Sequence, residues 1–154
     1  MMMMRVVRGA LSLSSVLLLD IHHGCAANLS FDHRQHCGMQ ITGDINSGDT
    51  QIIADRLVPI LKELSLTDPI DHSTICFDSD GGSYPEGWKL FTYIKEHALS
   101  TFVESGKRCL SACAIAFLGG TIDQGDGDTA LSRTIEKGAI LGFLAPFADF
   151  EDRP

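Results

Sequence analysis

Basic residues are scarce in this chain. There are 12 Lys and Arg against 20 Asp and Glu, a formal net charge of -8. A phosphate-binding surface needs a cationic face, so this balance argues against a nucleic-acid binder. Cysteines number 5 in 154 residues, too few for a small disulfide scaffold. Long apolar runs are also missing, apart from one near the N-terminus. No internal repeat is visible, and no stretch reads as a long linker. What remains, 44% apolar and 21% charged residues, is the composition of one globular domain and excludes wholesale disorder.

The N-terminal run reads as an export signal over residues 1–27, followed by a single domain over 28–154. Arg5 and Arg8 form a positive segment, Ala10 to Leu19 an apolar one, and Gly24 to Ala27 a small-residue end. The apolar segment is too short for a comfortable membrane span, so no stable span is expected after cleavage. Cleavage is expected after Ala26 or Ala27. A lipoprotein reading through Cys25 lacks the usual aliphatic residue, because His22-His23-Gly24 precede it.

Export places the other four cysteines in an oxidising compartment. Cys109 and Cys113 would share a helix face with poorly opposed Cβ vectors, so one of them is expected to pair with Cys37. Cys76, inside an apolar strand-like run, reads as a buried free thiol.

Residues 39–45 alternate and read as a strand. Over 49–66, Ile52, Ile53, Leu57, Ile60, Leu61 and Leu64 fall at helical spacing, with Pro59 predicting a kink or an early stop. Asp68-Pro69 is a break. Strands are predicted at 73–78, 100–104 and 138–144, and helices at 84–98 and 109–118. The last helix ends at Gly119-Gly120, and an acidic loop follows at 121–130. Alternating strands and helices predict an α/β domain with a largely parallel sheet.

Two turns can carry chemistry. In Asp78-Ser79-Asp80-Gly81-Gly82-Ser83, paired glycines at a helix N-terminus can present amides to an oxyanion. In Lys107-Arg108-Cys109-Leu110-Ser111-Ala112-Cys113-Ala114, a serine opens a helix of small residues. Either alone is weak: most Gly-Gly pairs are simply turns, and most serines in such helices are buried and back-bonded.

Taken in order, the segments ITGDI (41–45), FDSDGGSYPEG (77–87), TFVESGKRCLSACAIAFLGG (101–120) and GAILGFLAP (138–146) resemble the Clp-type protease and crotonase superfamily, above all its exported bacterial members. The resemblance spans residues 39–146. It implies a crotonase-like spiral of βαβ units, C-terminally incomplete, with Ser111 as nucleophile and Gly81, Gly82 and Ala112 at the oxyanion site. It implies a peptide or protein ligand and a homo-oligomer, with no cofactor and no metal. Apolar surface left bare by the short C-terminus would favour self-association.

The departures concern the base. Leu144 stands at the family's His position, and no His follows His97. The chain ends at Pro154, before the family's acidic triad member. A serine without a base is a poor nucleophile. The expectation is therefore a catalytically impaired serine-hydrolase homologue. The alternatives are a serine peptidase using Ser111 with Lys107 or Lys137, and a non-catalytic binding or structural module.

Other features read as bland. His72 and His97 read as surface residues. Asp32 to Cys37 carries His-x-x-His-Cys without a second cluster at zinc-like distance. Asp123 to Asp128 resembles a calcium loop in composition but lacks the closing Glu. Trp88 and Phe91 read as core or interface.

Overall fold

The computed structural model describes residues 27–30, 37–64, 73–125 and 127–144. The signal reading therefore lies outside the described residues except at Ala27. So do the metal-type segment apart from Cys37, the Asp68-Pro69 break, His72 and residues 145–154.

The fold is mixed α/β. The elements are β1 (Asn28–Ser30), β2 (Met39–Thr42), α1 (Asp49–Leu64), β3 (Thr74–Asp78), α2 (Tyr84–Glu96), β4 (Ser100–Val103), β5 (Arg108–Leu110), α3 (Ala112–Phe117), β6 (Thr121–Asp123), β7 (Thr129–Leu131), β8 (Arg133–Ile135) and β9 (Ile140–Gly142). Five strands form one sheet in the order β1-β2-β3-β4-β8. Its four inner and far strands run parallel, and β1 closes the near edge antiparallel to β2. The helices α1 and α2 are the crossovers that parallel neighbours require. The sheet expected to be largely parallel is thus a mixed one, with three of its four pairings parallel.

The core fills from both periodicities. Met39 and Ile41 alternate inward from β2, Ile75, Cys76 and Phe77 are buried on β3, and Leu90 and Ile94 supply the inner stripe of α2. The helix α1 continues through Pro59 to Leu64, so that proline is no stop. Ser83 caps α2, its Oγ accepting the Glu86 amide at 3.4 Å. The backbones of α2 and α3 approach closely. A Cβ on Gly87 would lie 2.6 Å from the Ala112 carbonyl oxygen, and one on Gly119 would lie 2.5 Å from that of Phe91.

Three expectations are corrected. Residues 109–118 are not one helix: β5 pairs with β9, and Ser79 bridges Cys109, so 108–110 are extended before α3 begins. The acidic loop is a hairpin of β6 and β7, its turn held by the Gly125 amide on Asp123 Oδ1 at 2.8 Å. Of the two places expected for Trp88, core or interface, the core is excluded: it is 47% exposed, edge-on to Tyr84 and Phe91.

The disulfide pairing is corrected too. Cys37 bonds Cys76, and Cys109 bonds Cys113. Parallel pairing of β2 with β3 sets Met39 beside Ile75, and Gly38 donates to the Thr74 carbonyl. That register sets Gln40 opposite Cys76; the chain bends at Gly38, and Cys37 lies with its Cα 5.6 Å from that of Cys76. Cys76 is therefore not a free thiol. Cys109 lies on a strand and Cys113 on a helix, so the chain reverses between them and their Cα atoms approach to 5.1 Å, within bonding range.

Candidate functional site

Ser111 stands alone between β5 and α3, with φ 52 and ψ -120. A non-glycine residue in that region carries about 1–3 kcal/mol of strain and needs its surroundings to hold it. The holding contacts are on both sides. Its amide donates to the Gly142 carbonyl at 2.8 Å, and its carbonyl accepts from the Ile115 amide at 3.2 Å. The Cys109–Cys113 bond spans it. A sharp strand-to-helix turn of this kind lifts a serine hydroxyl out of the backbone envelope. Ser111 is half-buried, and its hydroxyl has no hydrogen-bond partner among the described residues.

The glycine turn is docked onto this elbow. Ser79 donates its amide to the Arg108 carbonyl at 2.8 Å and accepts the Leu110 amide at 3.0 Å. A Cβ on Gly81 would sit 2.8 Å from Ser111 Cβ and 3.2 Å from the Ala112 nitrogen. Only glycine permits that approach, and φ is +109 there. Gly82, at φ +130, would drive a Cβ into the Ile45 carbonyl oxygen. Ile45 holds the turn from the other side, donating to the Gly81 carbonyl at 2.6 Å and accepting from Ser83 at 2.8 Å.

The candidate oxyanion donors divide. The Gly81 amide is already engaged by Ser79 Oγ at 3.1 Å. The Gly82 amide faces away from the Ile45 bridge, on an exposed residue. Ala112 is the first residue of α3, where a helix leaves its amides without intrahelical partners. Gly82 and Ala112 thus keep backbone amides without a partner among the described residues, one in the glycine turn and one at the elbow it packs on.

No base reaches the hydroxyl among the described residues. Lys107 Nζ donates to Asp78 Oδ2 at 2.8 Å. Lys137 is exposed in the turn before β9, its carbonyl accepting from Ser105 Oγ at 3.0 Å. His97 is exposed at the end of α2, its ring stacked on Tyr93 and its Nδ1 2.9 Å from the Tyr93 carbonyl. Leu144 is 60% exposed two residues past Gly142, the acceptor of the Ser111 amide. At the rise of an extended chain that is about 7 Å further on. Arg108 and Asp80 pair across the rim at 3.2 Å. More than half exposed, they contribute little to stability.

Comparisons with protein-family models, with curated proteins and with solved structures find no match.

Two residues behind the turn were invisible to pattern reading. Ser79 looks like one more polar turn residue, yet it is buried and sets the docking of both motifs. Glu86 is 1% exposed on α2 and accepts the Thr50 amide at the start of α1 at 2.9 Å and Lys89 Nζ at 3.2 Å. Burial pushes its pKa up, but the hydrogen bonds from Thr50, Lys89 and Gly48 outweigh burial and hold it below the usual carboxylate value. A Glu three residues after a Ser, here Ser83, signals a capping box. Glu86 instead caps the neighbouring helix.

Proposed function

We propose that the chain is an exported relative of the Clp-type serine hydrolases, built as their spiral of βαβ units, that binds a peptide carbonyl or carboxylate at Ser111 and is impaired in turnover. The observation that carries this reading is the strained serine at the β5–α3 junction, with a glycine turn packed against its Cβ. Strain of this kind persists where a function or the surrounding fold demands it. The impairment rests on the missing base. Serine attack needs a proton acceptor at hydrogen-bond distance, and the residue two past Gly142 is Leu144. The two disulfides fit an oxidising compartment. Among the described residues, no helix is long and apolar enough to cross a membrane. Exposed Leu131, Ile140 and Phe143 offer apolar surface for a second copy.

The test is fluorophosphonate labelling read by intact mass, with Ser111→Ala as control. The native chain should label at or near the background rate, and Leu144→His should raise the rate at Ser111 by at least tenfold. Fast labelling of the native chain would replace this reading with an active serine–lysine peptidase. No gain in a folded Leu144→His variant would favour a purely structural module.

A further inference from the structure

Ala27 lies just ahead of β1 and is 6% exposed. Its backbone nitrogen donates to Asp49 Oδ2 at 3.3 Å. Asp49 opens α1 and is itself 1% exposed. The same oxygen accepts the Asn46 amide at 2.7 Å. The other oxygen, Oδ1, is buried and has no partner among the described residues. A carboxylate in the first turn of a helix is favoured by the helix dipole, and the bond to Asn46 is an ordinary reach back to the preceding loop. Neither gives the buried Oδ1 a partner, nor sets a cation beside the buried Asp among the described residues.

The atom that touches Asp49 suggests what completes it. As a peptide amide, Ala27 N offers one donor and no charge. As a chain terminus, the same nitrogen would be an ammonium, with three donors and a positive charge. That is what a half-satisfied buried carboxylate lacks. We propose that the Ala26–Ala27 peptide bond is cut in the working protein, and that the new Ala27 α-ammonium becomes the buried counter-ion of Asp49. The cut is a hydrolysis. Water adds across the C–N bond, Ala26 leaves as a carboxylate, and the Ala27 nitrogen keeps the protons as an ammonium. An export-pathway endopeptidase that accepts small residues supplies the catalysis, and Gly24 and Ala26 occupy the third and first positions before the bond.

The geometry selects among the possible N-termini. Cleavage after Ala27 would remove the contacting nitrogen. Lipidation at Cys25 would leave Ala27 as an amide. Both would keep Asp49 without a cation. The inference depends on export but not on any chemistry at Ser111.

The experiment is to express the full chain in an exporting host and read the N-terminus of the exported form by intact mass and N-terminal sequencing. Ala27 is expected. A terminus at Cys25 or Asn28, or an uncut chain, would overturn the proposal. The ion pair is tested separately by thermal unfolding of two chains, one beginning at Ala27 and one with Gly-Ser-Gly-Ser ahead of it, each with and without Asp49→Asn. The chain beginning at Ala27 should melt several degrees higher, and Asp49→Asn should abolish that difference. Equal melting of the two chains with Asp49 intact would overturn the pairing even if Asp49→Asn fails to fold.

Discussion

The two disulfides should separate in their effect on stability. Cys37–Cys76 closes a loop of sequence separation 39, and Cys109–Cys113 one of separation 4. In the chain-entropy treatment a cross-link removes denatured-state freedom with the logarithm of loop length. That gives about 4 kcal/mol at 25 °C for the long loop and about 2 kcal/mol for the short one. The short loop also holds Ser111 at φ 52. Opening it would let the elbow relax and recover part of about 1–3 kcal/mol of strain, which lowers its net loss further. The paired variants Cys37→Ala/Cys76→Ala and Cys109→Ala/Cys113→Ala should therefore differ by about 2 kcal/mol or more. For a chain of this size that is a separation of roughly 4–8 °C in Tm. Urea unfolding followed by far-UV circular dichroism reads the free energies directly, with the slope checking that the denatured states stay comparable. Equal losses, or a larger loss from Cys109→Ala/Cys113→Ala, would refute the reasoning. The short bridge would then be a main support of the fold, as a purely structural role for the Ser111 helix requires.

Gly82→Ala should be severe, because the new Cβ meets the Ile45 backbone and φ is +130. A loss of about 2–4 kcal/mol in urea unfolding is expected, against about 1 kcal/mol for Gly43→Ala, whose Cβ would meet open space. Glu86→Gln should cost about 1–3 kcal/mol at neutral pH by weakening charge-assisted bonds to Thr50 and Lys89. Because the folded pKa of Glu86 is lowered, its contribution is complete above the unfolded value and is lost as pH falls through the folded one. Native and Glu86→Gln chains should therefore converge in Tm as the pH falls below the folded value, itself below the ordinary carboxylate range.

The strands and helices that carry strong periodicity were legible in the sequence. Ile53, Leu90 and Ile94 fall on the inner stripes of α1 and α2, and Met39 and Ile41 alternate on β2. Three-residue strands were not. Asn28–Ser30 and Arg133–Ile135 show too little alternation to separate from loops, and they take their form from neighbours already in the sheet. The strand β5 was hidden because Cys109 and Leu110 extend the apolar run of α3 without a break in composition. Only the positive φ of Ser111 divides them, and no propensity reports that for serine. The Cys37–Cys76 pairing follows from which strands are neighbours. Consecutive strands joined by one helix are usually adjacent, so adjacency of β2 and β3 was a usable signal, while the register itself sets Gln40 opposite Cys76. The Gly-Gly turn and Ser111 stood out by residue type. The buried partners that fix them, Ser79 and Ile45, did not, because burial of a turn serine or of one isoleucine among many has no local signature.

The close approach of α2 to α3 has a mechanical consequence. With Gly87 against Ala112 and Gly119 against Phe91, the two helices mesh backbone to backbone at two points, where no side chain stands between them to absorb a shift. The glycine turn leads into α2, and Ser111 leads into α3. A rotation of one helix is therefore passed to the other like the turning of one gear wheel to its neighbour. The spacing between the glycine turn and Ser111 is therefore set where the helices cross as much as at the turn itself.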